Sequence, residues 1–532
     1  MSKKIKISFL ISMLLFLLFA AGFILSSDLG LIIKKEFNEN FLSKEQLPDL
    51  STEKMEKEFD HIFDVLSSSC SEAINGNGLT GIYFAEKGDI YRTRIRQAGS
   101  NIEYFYVLKA LTSDLKSCHT EILYPDITEY PSYINGFAAS VDQAVYRYSD
   151  YWINELSECV NSYDGDVVGF DYCSGSYINA DTENDKIYYL KEIDGTPVDE
   201  FILNNISIWK INYDFIADKP FRNSVVFDNN DGQKKVGLLI EDNFGNDTEQ
   251  TAFINWQSEI AVGYSFLSDE SRQNKQNCNF YFFSDTQRDL CYIRLDEMNG
   301  EGSELETAVS SITDDTKNII LDLRRNPGGY ISFARENVYP PIFSRSAYIE
   351  TTSAVVKSKY NKKIFDNRFD SNNMGELTVV SGSETEKIYS VSANYTGNSA
   401  HSCNVFILVS HNTASAADEL TAAAKYCKTA VIIGENTGGE GIGLNSSVII
   451  PLKTSGLYLR YNAAASDNPD GSINSIYGTS PDHYQELTED GYFTCRKELA
   501  LGNDPYEYEN RLKWDDVLIK AIEIIEEKEN AG

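Results

Sequence analysis

The chain has 532 residues, is 42% hydrophobic and is rich in Tyr and Phe, so it is long enough for roughly two to four domains and a sizeable core. A formal net charge of −33 excludes nucleic acid as a partner, because phosphate would be repelled over most of the surface. Nine cysteines without a C-x-x-C pair and five histidines without H-E-x-x-H give no metal-ligand spacing, and no cofactor is expected.

The first 27 residues, "MSKKIKISFLISMLLFLLFAAGFILSS", place Lys3, Lys4 and Lys6 before an apolar run from Ile7 to Leu25. At ~1.5 Å per residue this run spans about 28 Å, close to the hydrocarbon thickness of a bilayer. The layout is that of a signal peptide or an N-terminal membrane anchor, with the lysines on the inside. No clean A-x-A site precedes Asp28, which favours an uncleaved anchor. Either way the remainder is expected to be exported, membrane-anchored or extracellular, and a membrane is a partner only through this segment.

Residues 28–164 read as a helical domain. "TEKMEKEFDHIFDVLSSSC" sets Met55, Phe59, Ile62 and Phe63 near one face, and "EYFYVLKALTSDLKSC" continues the helical spacing. Residues 165–260 change to short alternating runs with turns. There "KIYYLKEIDGTPVDEFI" predicts a strand, a D-G turn and a short helix from near Pro197, and "KKVGLLIEDNFGND" another strand and turn. From 261 to 532 buried-type strands alternate with helices. "CYIRLDEM", "NIILDLR", "NVFILVS" and "AVIIGE" are the strands, "SAADELTAAAKYC" a covering helix and "KWDDVLIKAIEIIEEK" the closing amphipathic helix. This is an α/β pattern with a largely parallel sheet.

Two strand ends carry candidate chemistry. In "ILVSHNTASAADEL" a polar turn leads from a strand into a helix expected from about Ala414, so Ser415 falls in the helix's first turn. Amides and the helix dipole favour developing negative charge there. The plainer reading is that Thr413 or Ser415 only caps the helix. In "NIILDLRRNPGGY" the Pro-Gly-Gly turn allows close backbone approach and an outward N–H, as an oxyanion hole requires, although a tight turn alone would also explain it. Both motifs end strands expected side by side, where clefts form beyond the carboxyl ends.

In this order, "LDLRRNPGG", "TASAADEL", "VIIGENTGG" and "YGTSPDH" resemble the S41 serine peptidases, which include the C-terminal processing (tail-specific) proteases and the tricorn core protease. The likeness covers about 290–525 and is weaker over 165–260, where "KEIDGTPVDEFI" is similar to the end of a PDZ-like module. The resemblance implies a ClpP/crotonase-like catalytic core with Ser415 as nucleophile. It also implies an oxyanion hole from Gly328 or Gly329 and the amide of Ala416, and a protein or peptide substrate.

The base is the point of departure. The processing-protease branch carries a lysine 25 residues after the serine, where this chain has Glu440, and Leu444 replaces that branch's glutamine. Lys425 is expected to face solvent. The tricorn-like branch instead takes a histidine from the N-terminal region, and "LKSCHTEILYP" resembles that segment, which makes His119 the base and His411 and His483 its rivals. On this reading Glu440 lines the cleft and tolerates replacement. The acid of that branch matches Ser475, leaving Asp467 or Asp470 as candidates to orient the imidazole. The alternative function is a non-catalytic protein binding a peptide or hydrophobic ligand on the same fold, as the retinoid-binding proteins of the eye, which look like this family, would suggest.

Overall fold

The computed structural model describes residues 50–75, 84–115, 117, 119–123, 148, 151–152, 167–204, 212–214, 219–228, 234–254, 280–299, 303–362, 378–382, 386–444, 447–505 and 507–531. The apolar segment 7–25 lies outside them, and among the described residues no helix is long and apolar enough to cross a membrane. Six of the nine cysteines fall within them, all as free thiols.

At the centre is a six-stranded sheet. Strands Leu290–Leu295, Asn318–Asp322, Asn404–Val409, Val431–Gly434 and His483–Tyr484 run parallel in that spatial order, with Phe280–Asp285 antiparallel at one edge. The inner strands read as unbroken apolar runs because both faces are covered. Ile293, Leu321, Ile407 and Ile432 face a core shared with Leu420 of the helix Ala416–Tyr426, while Tyr292, Ile320, Phe406 and Ile433 pack on Leu518 and Ile522 of the closing helix Asp516–Ala531. One-residue alternation thus sorts each strand between two layers.

The β-rich segment forms its own seven-stranded antiparallel sheet over 167–254, joined by the helix Val198–Asn204. The N-terminal helices are less separate than their composition implies. Helix Thr52–Ser69 buries Met55, Phe59, Ile62, Val65 and Leu66 along one face, with Phe63 at the margin. With Tyr104, Leu108 and Leu111 of helix Asn101–Ser113 they enter one core together with Val448, Leu459 and Tyr461 from the C-terminal half.

Strand Glu121–Leu123 then pairs antiparallel with Tyr458–Asn462, in register Glu121↔Arg460, Ile122↔Leu459 and Leu123↔Tyr458. Polar groups fix the same junction. Buried Glu58 accepts hydrogen bonds from the amides of Thr454 and Ser455 and from the Tyr104 hydroxyl, and Trp152 donates to the Ser455 carbonyl at 2.7 Å. The segment bearing His119 is therefore anchored on both sides, by the end of a packed helix and by a strand pairing.

Candidate functional site

The parallel strands Asn318–Asp322 and Asn404–Val409 end on the same edge of the sheet, and the two turns beyond them interlock. Thr413 Oγ1 donates to the Leu323 carbonyl at 2.8 Å, Ser410 Oγ donates to the Arg324 carbonyl, and the Ala414 amide donates to the Asn326 carbonyl. Helix Ala416–Tyr426 starts two residues later than the sequence suggests. Ser415 is the residue before it, at φ +53° and ψ −125°, and its side chain makes no capping hydrogen bond. A non-glycine residue in that conformation costs on the order of 1–3 kcal/mol and persists only where the surroundings enforce it. Here the Ser415 amide donates to the Gly439 carbonyl and its own carbonyl accepts from Glu419. Ser415 thus occupies the N-cap position without capping through its hydroxyl, and Thr413 Oγ1 is bonded to the Leu323 carbonyl instead, so side-chain capping does not account for either residue.

The Pro-Gly-Gly turn lies directly on this serine. A Cβ on Gly328, at φ +108°, would lie 2.6 Å from Ser415 Cβ and 2.8 Å from the Ala414 carbonyl oxygen. Buried Asn326 sets the turn: its Oδ1 accepts from the Gly328 amide and its Nδ2 donates to the Leu295 carbonyl. With the Gly328 N–H occupied, the Gly328 carbonyl accepting from the Met298 amide and the Tyr330 amide donating to the Met298 carbonyl, the amides of Gly329 and Ala416 are left without a hydrogen bond among the described residues. Of the two glycines that the sequence left open, Gly328 has its amide bonded to Asn326 and Gly329 does not.

The loop after strand Val431–Gly434 closes the other side. Gly441 packs so closely that a Cβ there would lie 2.1 Å from the Ser415 carbonyl oxygen. Buried Asp418, on the helix that follows the serine, accepts from Thr437 Oγ1, Thr479 Oγ1, Asn474 Nδ2 and the Gly441 amide, at 2.5, 2.7, 2.9 and 3.2 Å. Burial pushes its carboxyl up, against the pull of these four hydrogen bonds. Between Gly439 and Gly441 stands Glu440, at φ +60° and with its side chain only 2% exposed.

His119 Nδ1 lies 2.8 Å from Glu440 Oε2. With Nδ1 turned to the carboxylate, Nε2 is the ring nitrogen left facing away from Glu440. Burial pushes the Glu440 carboxyl up, but the His119 charge, with hydrogen bonds from His119, Ser117 and Asn462, outweighs burial and holds it at about 2. No hydrogen bond joins His119 to Ser415, and catalytic contacts are often long before substrate binds.

The other candidates are elsewhere. Asp467 accepts from Thr352 Oγ1, Asp470 accepts from the Tyr426 hydroxyl and Ser472, and the Ser475 hydroxyl is buried without a hydrogen-bond partner, so none of them orients the imidazole. His411 sits edge-on to Phe221 with Nδ1 3.4 Å from Glu435 Oε2, and neither ring nitrogen is hydrogen-bonded among the described residues. His483 is exposed on the edge strand. Lys425 does not face open solvent: half-buried, it donates to the Ser480 carbonyl at 2.5 Å, and burial lowers its pKa. Among the described residues no group of His, Cys, Asp and Glu is arranged to hold a metal ion.

Residues 289–484 match the family model described as Peptidase family S41. No curated protein matches the chain in sequence. Among solved structures it is similar to mature CPAF complexed with lactacystin, at 11% identity and TM-score 0.47, over 85% of this chain and 98% of that one. It is also similar to the photosystem II D1 C-terminal processing protease (14% identity, TM-score 0.33, 81% of this chain and 92% of that). A third likeness is to the tricorn protease, at 14% identity and TM-score 0.35, over 90% of this chain and 37% of that one.

Proposed function

We propose that this chain is a serine-type peptidase, a lysine-less, tricorn-like form of the S41 arrangement with a ClpP/crotonase-like core and a PDZ-like β segment. Ser415 Oγ attacks the scissile carbonyl while His119 Nε2 takes its proton. Glu440 holds the imidazole and stabilises the imidazolium, and the amides of Gly329 and Ala416 receive the oxyanion. Collapse of the tetrahedral intermediate expels the amine, which leaves with the proton from His119, and water then hydrolyses the acyl ester by the same steps. The observation that carries this reading is the 2.8 Å His119–Glu440 contact, made from the loop whose Gly439 carbonyl grips the Ser415 amide. Protein or peptide substrates follow from the reaction, and export from the lysines ahead of the apolar run at 7–25.

The test is covalent labelling by a fluorophosphonate probe. Ser415→Ala is expected to abolish labelling and His119→Ala to reduce it by orders of magnitude, while His411→Ala and His483→Ala change it little. A folded chain that takes no label between about pH 6 and 8 would refute the peptidase and leave the ligand-binding protein, which the missing Ser415–His119 hydrogen bond favours.

A further inference from the structure

Glu72, at the start of the short helix Ser71–Asn75 that follows the helix Thr52–Ser69, is a buried carboxyl that the mechanism above does not use. Its Oε1 accepts from Asn462 Nδ2 at 3.3 Å, and the same nitrogen donates to Glu440 Oε2 at 3.0 Å. The two amide hydrogens of Asn462 are thus divided between two carboxyls. The Asn462 oxygen is fixed in turn by Ser447 Oγ at 3.2 Å. On its other side Glu72 Oε2 accepts from Cys70 Sγ at 3.1 Å, and Cys70 Sγ lies 3.8 Å from the hydroxyl of Thr120, the residue after His119. Glu72 therefore touches both ends of the Glu440–His119 pair, through Asn462 on one side and through Cys70 and Thr120 on the other.

We infer that Glu72 is a positioning residue for this pair, and that its charge sets how tightly His119 holds a proton. Two buried carboxyls share one donor, and His119 pairs with one of them, Glu440. Both cannot be ionised at low cost. Glu440 holds the imidazole, so Glu72 is the neutral member, and it has no ion-pair partner among the described residues.

The groups facing it from the surrounding elements are the Cys70 thiol and Glu440; His119 lies beyond Glu440, the Tyr461 hydroxyl is on the Cys70 side, and the Arg460–Glu121 pair lies beyond Ser447. Burial first, and the Glu440 charge second, raise the Glu72 carboxyl to about 7. As pH rises through that range a second negative charge appears beside the buried Glu440 carboxylate, which His119 contacts from a partly exposed position. The imidazolium is then favoured, and less neutral base is present at a given pH.

The inference rests on the assignment of Ser415 and His119 above, but its readout needs no turnover. In the full chain, carbon-13 labelled at histidine, the His119 ring resonance is assigned by its loss in His119→Gln and followed from pH 5 to 9. Glu72→Gln keeps the shape and fixes the charge at zero, so the His119 midpoint should fall by roughly half a pH unit or more, at least a threefold change in proton affinity. Glu72→Met, equally neutral but without hydrogen bonds, should shift it in the same direction, and covers the case in which the glutamine variant fails to fold. Titrations that superimpose on the wild type in the folded variants would overturn the inference. Loss of Ser415 labelling with the shift intact would refute the peptidase and spare the coupling.

Discussion

Replacing Glu440 by glutamine separates the structure from the sequence reading most sharply. Glutamine keeps the volume and a carbonyl oxygen but removes the negative charge. At an effective dielectric of about 20, unit charges 2.8 Å apart interact by roughly 6 kcal/mol, a ceiling on what the carboxylate gives the imidazolium. The glutamine NH2 can also face Nδ1 and favour the wrong tautomer. A loss of about 10²- to 10⁴-fold in labelling rate is therefore expected, roughly 3–5 kcal/mol on the barrier. The assay is the second-order rate of fluorophosphonate labelling at pH 7.5, for wild type, Glu440→Gln and Ser415→Ala, with thermal melts confirming the fold. Read from sequence alone, the substitution should cost less than tenfold. A measured loss below tenfold in a folded Glu440→Gln protein would refute the structural argument and remove Glu440 from the mechanism.

Two further outcomes test the frame around the site. Lys87 and Asp114 form a buried ion pair at 2.6 Å just before the His119 segment, and Lys87→Met, which strands the carboxylate, should destabilise the N-terminal helices by about 3–5 kcal/mol, read as a lower first transition in a thermal melt. Glu72, raised above its ordinary 4.5 to about 7, favours the fold below pH 4.5, and this contribution is lost as pH rises to 7. Glu72→Gln should therefore melt higher than wild type at pH 8, by up to about 3 kcal/mol, and close to it at pH 4; an equal difference at both pH values would contradict the shift.

The central sheet was legible because strands buried on both faces are unbroken apolar runs, and turns such as Asn326-Pro327-Gly328-Gly329 punctuate them. Ser415 was legible from its place between a strand and a helix. The acid was not. Asp467 and Asp470 stand near the expected position in the chain, yet Glu440 reaches the imidazole from a backbone held at φ +60°, in a loop that its flanking glycines let pack directly on Asn474 and Ser415. The signal available was that the loop's one inward acid replaces a base in the lysine-bearing branch. Asn326, Asp418 and Asn462 gave no signal, because a buried polar residue that fixes a turn looks in sequence like any solvated one.

On the proposed mechanism the site is completed across a long stretch of chain, which would make docking of the N-terminal helices part of the chemistry. Ser415, Gly329 and Glu440 are held by the central sheet and its loops, whereas His119 arrives on a segment whose geometry depends on three contacts: Lys87–Asp114 at the helix end, the pairing of Glu121–Leu123 with Tyr458–Asn462, and Glu58 on the amides of 454–455. Strand Tyr458–Asn462 belongs to both arrangements, since its last residue is the asparagine that bridges Glu72 and Glu440. A displacement of that strand would withdraw His119 and loosen Glu440 together. Loss of docking should therefore behave as loss of the whole site rather than as a graded weakening, because an imidazole shifted by about 1 Å already forfeits much of its advantage in proton transfer.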